Sequence, residues 1–286
     1  MQIIQTVSDL RRALTGSRNV TLVPTMGNLH EGHLSLVRIA RERIGVVVAS
    51  IFVNPLQFAP HEDFAKYPRT LERDTELLAA GGCDIVFAPS EQEVYPEPQG
   101  YKVHPPAGLA DILEGQIRPG FFVGVSTVVL KLFNMVQPAA AVFGKKDYQQ
   151  LFLIRNLVRQ LALPIEIVPA ETIRDSSGLA LSSRNGYLSD TQRVEAAQLS
   201  AVLNSVAAAL KTNRTDWTSL EREATDALIG RGWRPDYVAI RNQADLLAPT
   251  PGLVATNGND LVVLGAARLA GTRLIDNVEV RATNVQ

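Results

Sequence analysis

From Asn19 onward, short runs of β-branched and other apolar residues alternate with longer amphipathic segments. A parallel sheet joined by crossover helices leaves this pattern in a sequence. Residues 20–24, 46–53, 84–88, 140–143 and 165–168 predict strands, rich in Val and Ile and without in/out alternation. Strands covered on both faces read this way. Residues 31–43, 69–80, 124–136 and 147–161 predict the covering helices, the last with apolar positions three and four apart. The fold class is α/β.

The texture changes after Leu181. Residues 190–211 are Ala-rich with high helix propensity, and 216–230 form a second charged amphipathic pattern. Residues 237–241, 261–267 and 273–280 then predict a small sheet. A second, α+β domain follows from this. Asp175, Ser176, Ser177 and Gly178 supply turn chemistry with little burial value and suggest a boundary in 175–181. The segments 54–68 and 96–106, each with several prolines, are too irregular for elements, and long irregular connections are more often functional than decorative.

Composition narrows the function classes. With 28 basic and 29 acidic residues the formal charge is −1, which gives no global attraction to nucleic acid or anionic lipid. Hydrophobic residues at 46% supply a sizeable core. A single cysteine, Cys83, precludes an intramolecular disulfide, and the first twelve residues lack an apolar signal region, so a reducing cytoplasm is expected. The apolar runs 45–53 and 121–136 are too short or too interrupted to span a bilayer.

Four clusters carry candidate chemistry. Pro24-Thr25-Met26-Gly27-Asn28-Leu29-His30-Glu31-Gly32-His33 sits where the first long strand turns into the first crossover helix, the ligand end of such sheets. Free amides at a helix start favour an anion, Gly27 and Gly32 allow close approach, and His30 and His33 project from one side. The alternative is a capping or packing role. A zinc-protease reading fails on spacing, because only Gly32 separates Glu31 from His33 where two residues are needed. Phe143-Gly144-Lys145-Lys146-Asp147-Tyr148-Gln149-Gln150 is another strand end; it lacks P-loop spacing, and one lysine is expected to be merely solvated. Gly178-Leu179-Ala180-Leu181-Ser182-Ser183-Arg184-Asn185 offers hydroxyls and a guanidinium suited to polyphosphate, or equally a turn or helix cap. In Asn54-Pro55-Leu56-Gln57-Phe58 the Gln57 amide either faces the crevice or belongs to an ordinary loop.

In this order the clusters resemble the pantothenate synthetase (pantoate-beta-alanine ligase) family of HIGH-motif nucleotidyltransferases. The resemblance spans 21–185 and includes 24–36, 50–58, Tyr67-Pro68-Arg69-Thr70, Arg118-Pro119-Gly120, 124–134, 143–150 and 178–185. Three positions depart from the family pattern: Phe121 where histidine is frequent, and Ala139 and Ser177 where aspartate is usual.

The resemblance implies a Rossmann-like parallel sheet with covering helices in 1–177, binding nucleotide and pantoate, and a smaller C-terminal α+β lid domain in 178–286. It implies an ATP-dependent ligase that condenses pantoate with beta-alanine through pantoyl adenylate, with Mg²⁺, in vitamin B5 and coenzyme A biosynthesis. His33 would donate a proton to the leaving group, His30 would touch phosphate, and Lys146 and Arg184 would stabilise charge. ATP would be lined by Met26, Gly27, Asn28, Leu29, His30, Glu31, Gly32, His33, Gly144, Lys145, Lys146, Asp147, Leu181, Ser182, Ser183 and Arg184, with Ile173 meeting adenine through its backbone. Gln57 and Gln150 would hold pantoate, and Gln57 also beta-alanine. No Mg²⁺ ligand is assigned; Asp74 is a candidate carboxylate. A cytoplasmic homodimer without nucleic-acid or membrane partners is expected. Another HIGH-type nucleotidyltransferase would lack the Gln57 and Gln150 pair, and a tRNA synthetase fragment would need a basic, aromatic-laced RNA module, which is not visible. A non-catalytic nucleotide-binding relative would lack pantoate-dependent pyrophosphate exchange.

Overall fold

The ends of three neighbouring strands set the geometry of the first unit. The computed structural model describes residues 1–58, 64–212, 214–250 and 260–281, and the chain divides between Glu171 and Thr172 into two units. Residues 59–63 of the irregular 54–68 segment lie outside the described residues.

The first unit is built on six parallel strands: β1 (Gln2–Ile4), β2 (Val20–Thr25), β3 (Val46–Ile51), β4 (Ile85–Phe87), β5 (Ala140–Gly144) and β6 (Glu166–Ala170). Their order in the sheet is β1-β4-β3-β2-β5-β6. The helices are α1 (Val7–Ala13), α2 (Glu31–Arg41), α3 (Leu71–Ala80), the one-turn α4 (Glu91–Val94), α5 (Ala107–Ala110) and α6 (Glu114–Ile117), then α7 (Phe121–Val136) and α8 (Tyr148–Gln160). The five strands predicted are present within a few residues. β1, an edge strand of three residues, is too short to display a period in the sequence.

Successive strand residues feed two separate cores, which explains the missing alternation. Val20, Leu22, Val48, Phe87 and Ala141 pack with Leu10, Phe133 and Ile154 on one face. Val23, Val47, Ala49, Val86 and Val142 pack with Leu36, Val37 and Leu78 on the other. Both faces are apolar because helices cover both.

The second unit carries α9 (Asp190–Lys211), α10 (Trp217–Gly230) and an antiparallel sheet β7 (Arg234–Asn242), β8 (Leu261–Leu269) and β9 (Thr272–Val280). Ser189 and Gln192 close a reciprocal cap at the start of α9. The 175–178 turn forms as read, with Asp175 Oδ1 accepting the Ser177 and Leu179 amides at 2.8 and 3.1 Å. It is the tip of a hairpin that belongs wholly to this unit: Arg174 pairs with Asp276 through two bonds of 2.6 and 2.8 Å. The division therefore falls ahead of the hairpin, upstream of the boundary in 175–181 suggested by turn chemistry and of the 177/178 division expected with the resemblance.

One close approach in the first unit is decisive. A Cβ built on Gly124 would lie 2.2 Å from the Leu56 carbonyl oxygen, so α7 reaches the 55–57 turn only because residue 124 has no side chain. Gly124→Ala is expected to cost on the order of 1–3 kcal/mol through forced backbone displacement. Urea unfolding checks it, and an unchanged midpoint would show that the turn yields freely.

Candidate active site

β2 pairs with β3 on one side and with β5 on the other, so the sheet changes its winding direction at β2. Ligand crevices open beyond the carboxyl ends of strands at such a point. Three predicted clusters leave from these ends: the Met26–His33 turn from β2, the Asn54–Gln57 turn from β3 and Lys145–Asp147 from β5.

The turn after β2 is held by a carboxylate from a distant element. Gly27 and Asn28 lie in left-handed backbone conformations, with φ of 81° and 51°. Asp74 on α3, fully buried, accepts the Asn28 amide on Oδ2 and the Leu29 amide on Oδ1, each at 2.8 Å, and the Thr70 hydroxyl at 3.0 Å. A Cβ on Gly27 would sit 3.0 Å from Asp74 Oδ2. Asp74 is thus a structural acceptor, both of its oxygens hydrogen-bonded within this part of the fold. Leu29, placed by the sequence reading among ATP contacts, buries its side chain in the core under α2. The polar signal in the sequence was one aspartate four residues before Leu78 on the buried face of α3.

A second correction concerns the amides at the start of α2, expected to cradle an anion. The Gly32 amide donates to His30 Nδ1 at 3.1 Å and the His30 amide to His33 Nδ1 at 3.3 Å. The His33 amide donates to the His30 carbonyl at 2.8 Å. With Nδ1 accepting in both rings, the proton of each neutral imidazole resides on Nε2. These Nε2–H groups have no partner among the described residues and are donors open to a ligand. The rings lie 4.1 Å apart. Burial, then the neighbouring His33 and Lys146, lowers His30 to about 3; burial and Lys146 lower His33 to about 4. Glu31 is exposed and paired with Arg38.

The two lysines have different surroundings. Lys145 is mostly covered and pairs with Glu171 at 2.6 Å, so it is not the solvated charge that the sequence suggested. The positive charge of Lys146 is felt by both imidazoles. Gly144 and Asp147 flank the pair, Asp147 exposed at the start of α8.

Gln57 approaches the histidine turn: its Nε2 is 3.0 Å from Met26 Sδ. Asn54, buried and unassigned by the sequence reading, donates from Nδ2 to Gln57 Oε1 at 3.2 Å and to the Gly124 carbonyl at 3.1 Å. Its signal was an Asn immediately before a Pro at a strand end, the chemistry of a short helix cap. Arg118, also missed as a site residue, donates to the Gln57 carbonyl at 3.3 Å and stacks on Phe121 at 3.7 Å. A cavity of about 360 Å³ opens beside Gln57, lined also by Arg118, Lys102, His104 and Phe121. On α8, Gln149 is spent on structure, accepting the Glu114 amide and donating to the Leu109 and Ile112 carbonyls. Gln150 is half-buried and its side chain makes no hydrogen bond to the described residues.

In the second unit, the Ile173 carbonyl accepts the Leu181 amide at 2.9 Å, and Ser182 caps the short turn that carries Ser183 and Arg184 by accepting the Arg184 amide at 3.3 Å. Among the described residues no group of three His, Cys, Asp or Glu side chains is placed to hold a metal ion, and no helix is long and apolar enough to cross a membrane.

The family model for pantoate-beta-alanine ligase matches residues 2–279. The chain is similar to the pantothenate synthetase of Leptothrix cholodnii, 59% identical over 98% of this chain and 100% of that protein. Among solved structures it is similar to the pantothenate synthetase of Thermus thermophilus, with 44% identity, TM-score 0.91 and coverage of 98% and 100%. It is also similar to the Francisella tularensis pantoate-beta-alanine ligase complexed with beta-gamma ATP and beta-alanine, with 33% identity, TM-score 0.81 and 97% coverage of each.

The tautomers and the lowered imidazoles give a testable sign. The unfolded chain takes up protons near the ordinary histidine value of 6.5, whereas the folded chain resists until about 4 and 3. The stabilising contribution is full above 6.5 and declines as pH falls towards those values. Replacing both histidines with glutamine should therefore flatten the loss of stability between pH 6.5 and 4, read from urea midpoints. Nitrogen-15 NMR of the parent at pH 6 should show two neutral Nε2–H rings, and an imidazolium signal would refute the arrangement.

Proposed function

The chain belongs to the pantoate-beta-alanine ligase family, and on that premise we propose how its residues divide the reaction among themselves. The reaction condenses pantoate with beta-alanine at the expense of ATP, giving pantothenate, AMP and pyrophosphate through pantoyl adenylate. What carries the division is the 3.0 Å approach of Gln57 Nε2 to Met26 Sδ, which joins a carboxylate-binding amide to the turn that bears His30 and His33.

In the first step the pantoate carboxylate attacks the α-phosphorus, and charge accumulates on phosphoryl oxygens and departing pyrophosphate. Fixed positive charge and aimed donors are what such a step needs. Lys146 supplies the charge. His30 and His33 supply neutral Nε2–H donors, so His33 assists the leaving group by hydrogen bonding and not as an imidazolium acid. Met26, Gly27, Asn28, Glu31, Gly32, Gly144 and Asp147 flank the nucleotide. The contacts of Ile173 and Leu181–Arg184 with it are proposed on family resemblance.

Gln57 and Gln150 hold pantoate. An amide offers donor and acceptor together without neutralising the nucleophile as an arginine would. In the second step the neutral amine of beta-alanine attacks the mixed anhydride. The cavity beside Gln57, with Arg118 and Lys102 on its wall, suits a carboxylate substrate. Mg²⁺ is proposed to arrive with ATP as part of that substrate, the usual habit of an ion held largely by phosphates. A cytoplasmic homodimer completes the proposal, the compartment in keeping with one buried, unpaired cysteine.

Pantoate-dependent exchange of labelled pyrophosphate into ATP tests the adenylating half-reaction, and its absence would remove the residue assignment. In single-turnover experiments Lys146→Ala should slow pantoyl adenylate formation far more than it weakens ATP binding, because phosphoryl charge grows toward the transition state. Lys145→Ala should do much less, and equal losses would mean that the two lysines had been exchanged.

Gln150→Ala should cost on the order of 1–3 kcal/mol in pantoate binding with ATP nearly unaffected. Gln150→Glu should be worse at neutral pH and recover partly on acidification, as protonation relieves repulsion of the substrate carboxylate. Calorimetric titration of ATP and then pantoate decides it. Loss of ATP binding with pantoate intact would reverse the orientation of the crevice.

A further inference from the structure

Behind Gln57 runs a chain of buried polar groups that the reaction scheme leaves unused. The Tyr95 hydroxyl donates to Asn54 Oδ1 at 2.8 Å, and the Leu56 amide donates to the same oxygen at 3.3 Å. The Leu56 amide can only donate and the Gly124 carbonyl can only accept, so that end of the Asn54 amide is its oxygen, and the Tyr95 hydroxyl donates to it as well. Asn54 Nδ2 must then face the other way, where it meets the Gly124 carbonyl at 3.1 Å and Gln57 Oε1 at 3.2 Å. The Gln57 oxygen is thereby turned inward. Its nitrogen is left pointing at Met26 Sδ, a weak acceptor that does not saturate an amide NH₂.

We propose that Tyr95 is a positioning residue that fixes the direction of the Gln57 amide, so that nitrogen and not oxygen faces the carboxylate substrate. The inference rests on the reading of Gln57 as a pantoate contact given above. An unrestrained amide has two nearly isosteric orientations, and in one of them a carbonyl oxygen would oppose the substrate carboxylate. The direction matters because the contact is charge-assisted only when the amide donates.

Tyr95 is built for this task. It is buried, its ring lies 6.0 Å from that of Phe52, and the Lys131 ammonium sits 4.9 Å from its centroid. Burial raises the phenol above its ordinary range, so the hydroxyl stays protonated and keeps donating. Asn54 is 1% exposed, which denies water the chance to replace the phenol as donor.

The test is steady-state kinetics on the full chain for the parent, Tyr95→Phe, Gln57→Ala and the double variant, with pantoate and ATP varied separately. Tyr95→Phe is expected to raise KM for pantoate about tenfold and leave KM for ATP within about twofold, the scale of one lost buried hydrogen bond. In the Gln57→Ala background it should add nothing, since its effect passes through that amide. Equal losses for both substrates, or a Tyr95→Phe effect that persists without Gln57, would overturn the proposal while leaving the Gln57 reading intact. If Gln57→Ala leaves pantoate KM unchanged, the Gln57 reading fails and takes the proposal with it.

Should Tyr95→Phe not fold, Asn54→Asp provides the same decision. It keeps the acceptor for Tyr95 but puts an oxygen opposite Gln57 Oε1, turning that amide round and raising KM for pantoate more than KM for ATP. A uniform loss would count against the mechanism.

Discussion

A fully buried carboxylate must find donors or unfold its surroundings, and Asp74 finds them in the turn between β2 and α2. The Asn28 and Leu29 amides donate to its two oxygens, and Thr70 adds a third bond. Hydrogen bonds to a charged acceptor contribute roughly 1.5–3 kcal/mol each, so the turn and α3 hold each other in register. In the turn that presents both amides to α3, Gly27 and Asn28 take left-handed backbone conformations. The direction in which α2 sets out, and hence where His30 and His33 stand, is inherited from it.

The imidazoles are then locked by their own helix start. Each Nδ1 is occupied by a backbone amide, which fixes the tautomer and orients the ring without a carboxylate partner. Lys146 adds positive charge nearby, and that charge, together with burial, keeps both rings neutral. The result is a division between one full charge and two neutral donors. Such a set can stabilise phosphoryl oxygens without trapping the attacking carboxylate in a tight ion pair.

Across the crevice the constraint is steric before it is polar. α7 meets the Asn54–Gln57 turn at Gly124, where any side chain would collide with the Leu56 carbonyl. This contact brings the Gly124 carbonyl within reach of Asn54, whose amide in turn holds Gln57. Arg118 grips the Gln57 backbone and is itself stacked on Phe121. The aromatic ring gives the guanidinium a flat support.

The sequence by itself determined the layers and the strand ends. Apolar runs without alternation could only be strands covered on both faces, and the two cores on either side of β2, β3 and β5 are the physical reason. It also determined which turns stand at strand ends, since those bearing His30, His33, Lys146 and Gln57 each leave a strand of the parallel sheet. Tertiary structure alone decided their states. Whether an amide at a helix start is free depends on which side chain folds back onto it, and here Asp74 and the histidines themselves took the donors assumed to await a ligand. Asn54 and Tyr95 lie forty-one positions apart and meet only when β3 and the segment after β4 are laid side by side. Local pattern reports periodicity and cap chemistry, which are short-range. Hydrogen-bond direction, burial and the sign of a charge's surroundings are set by partners distant in the chain, and no period records them.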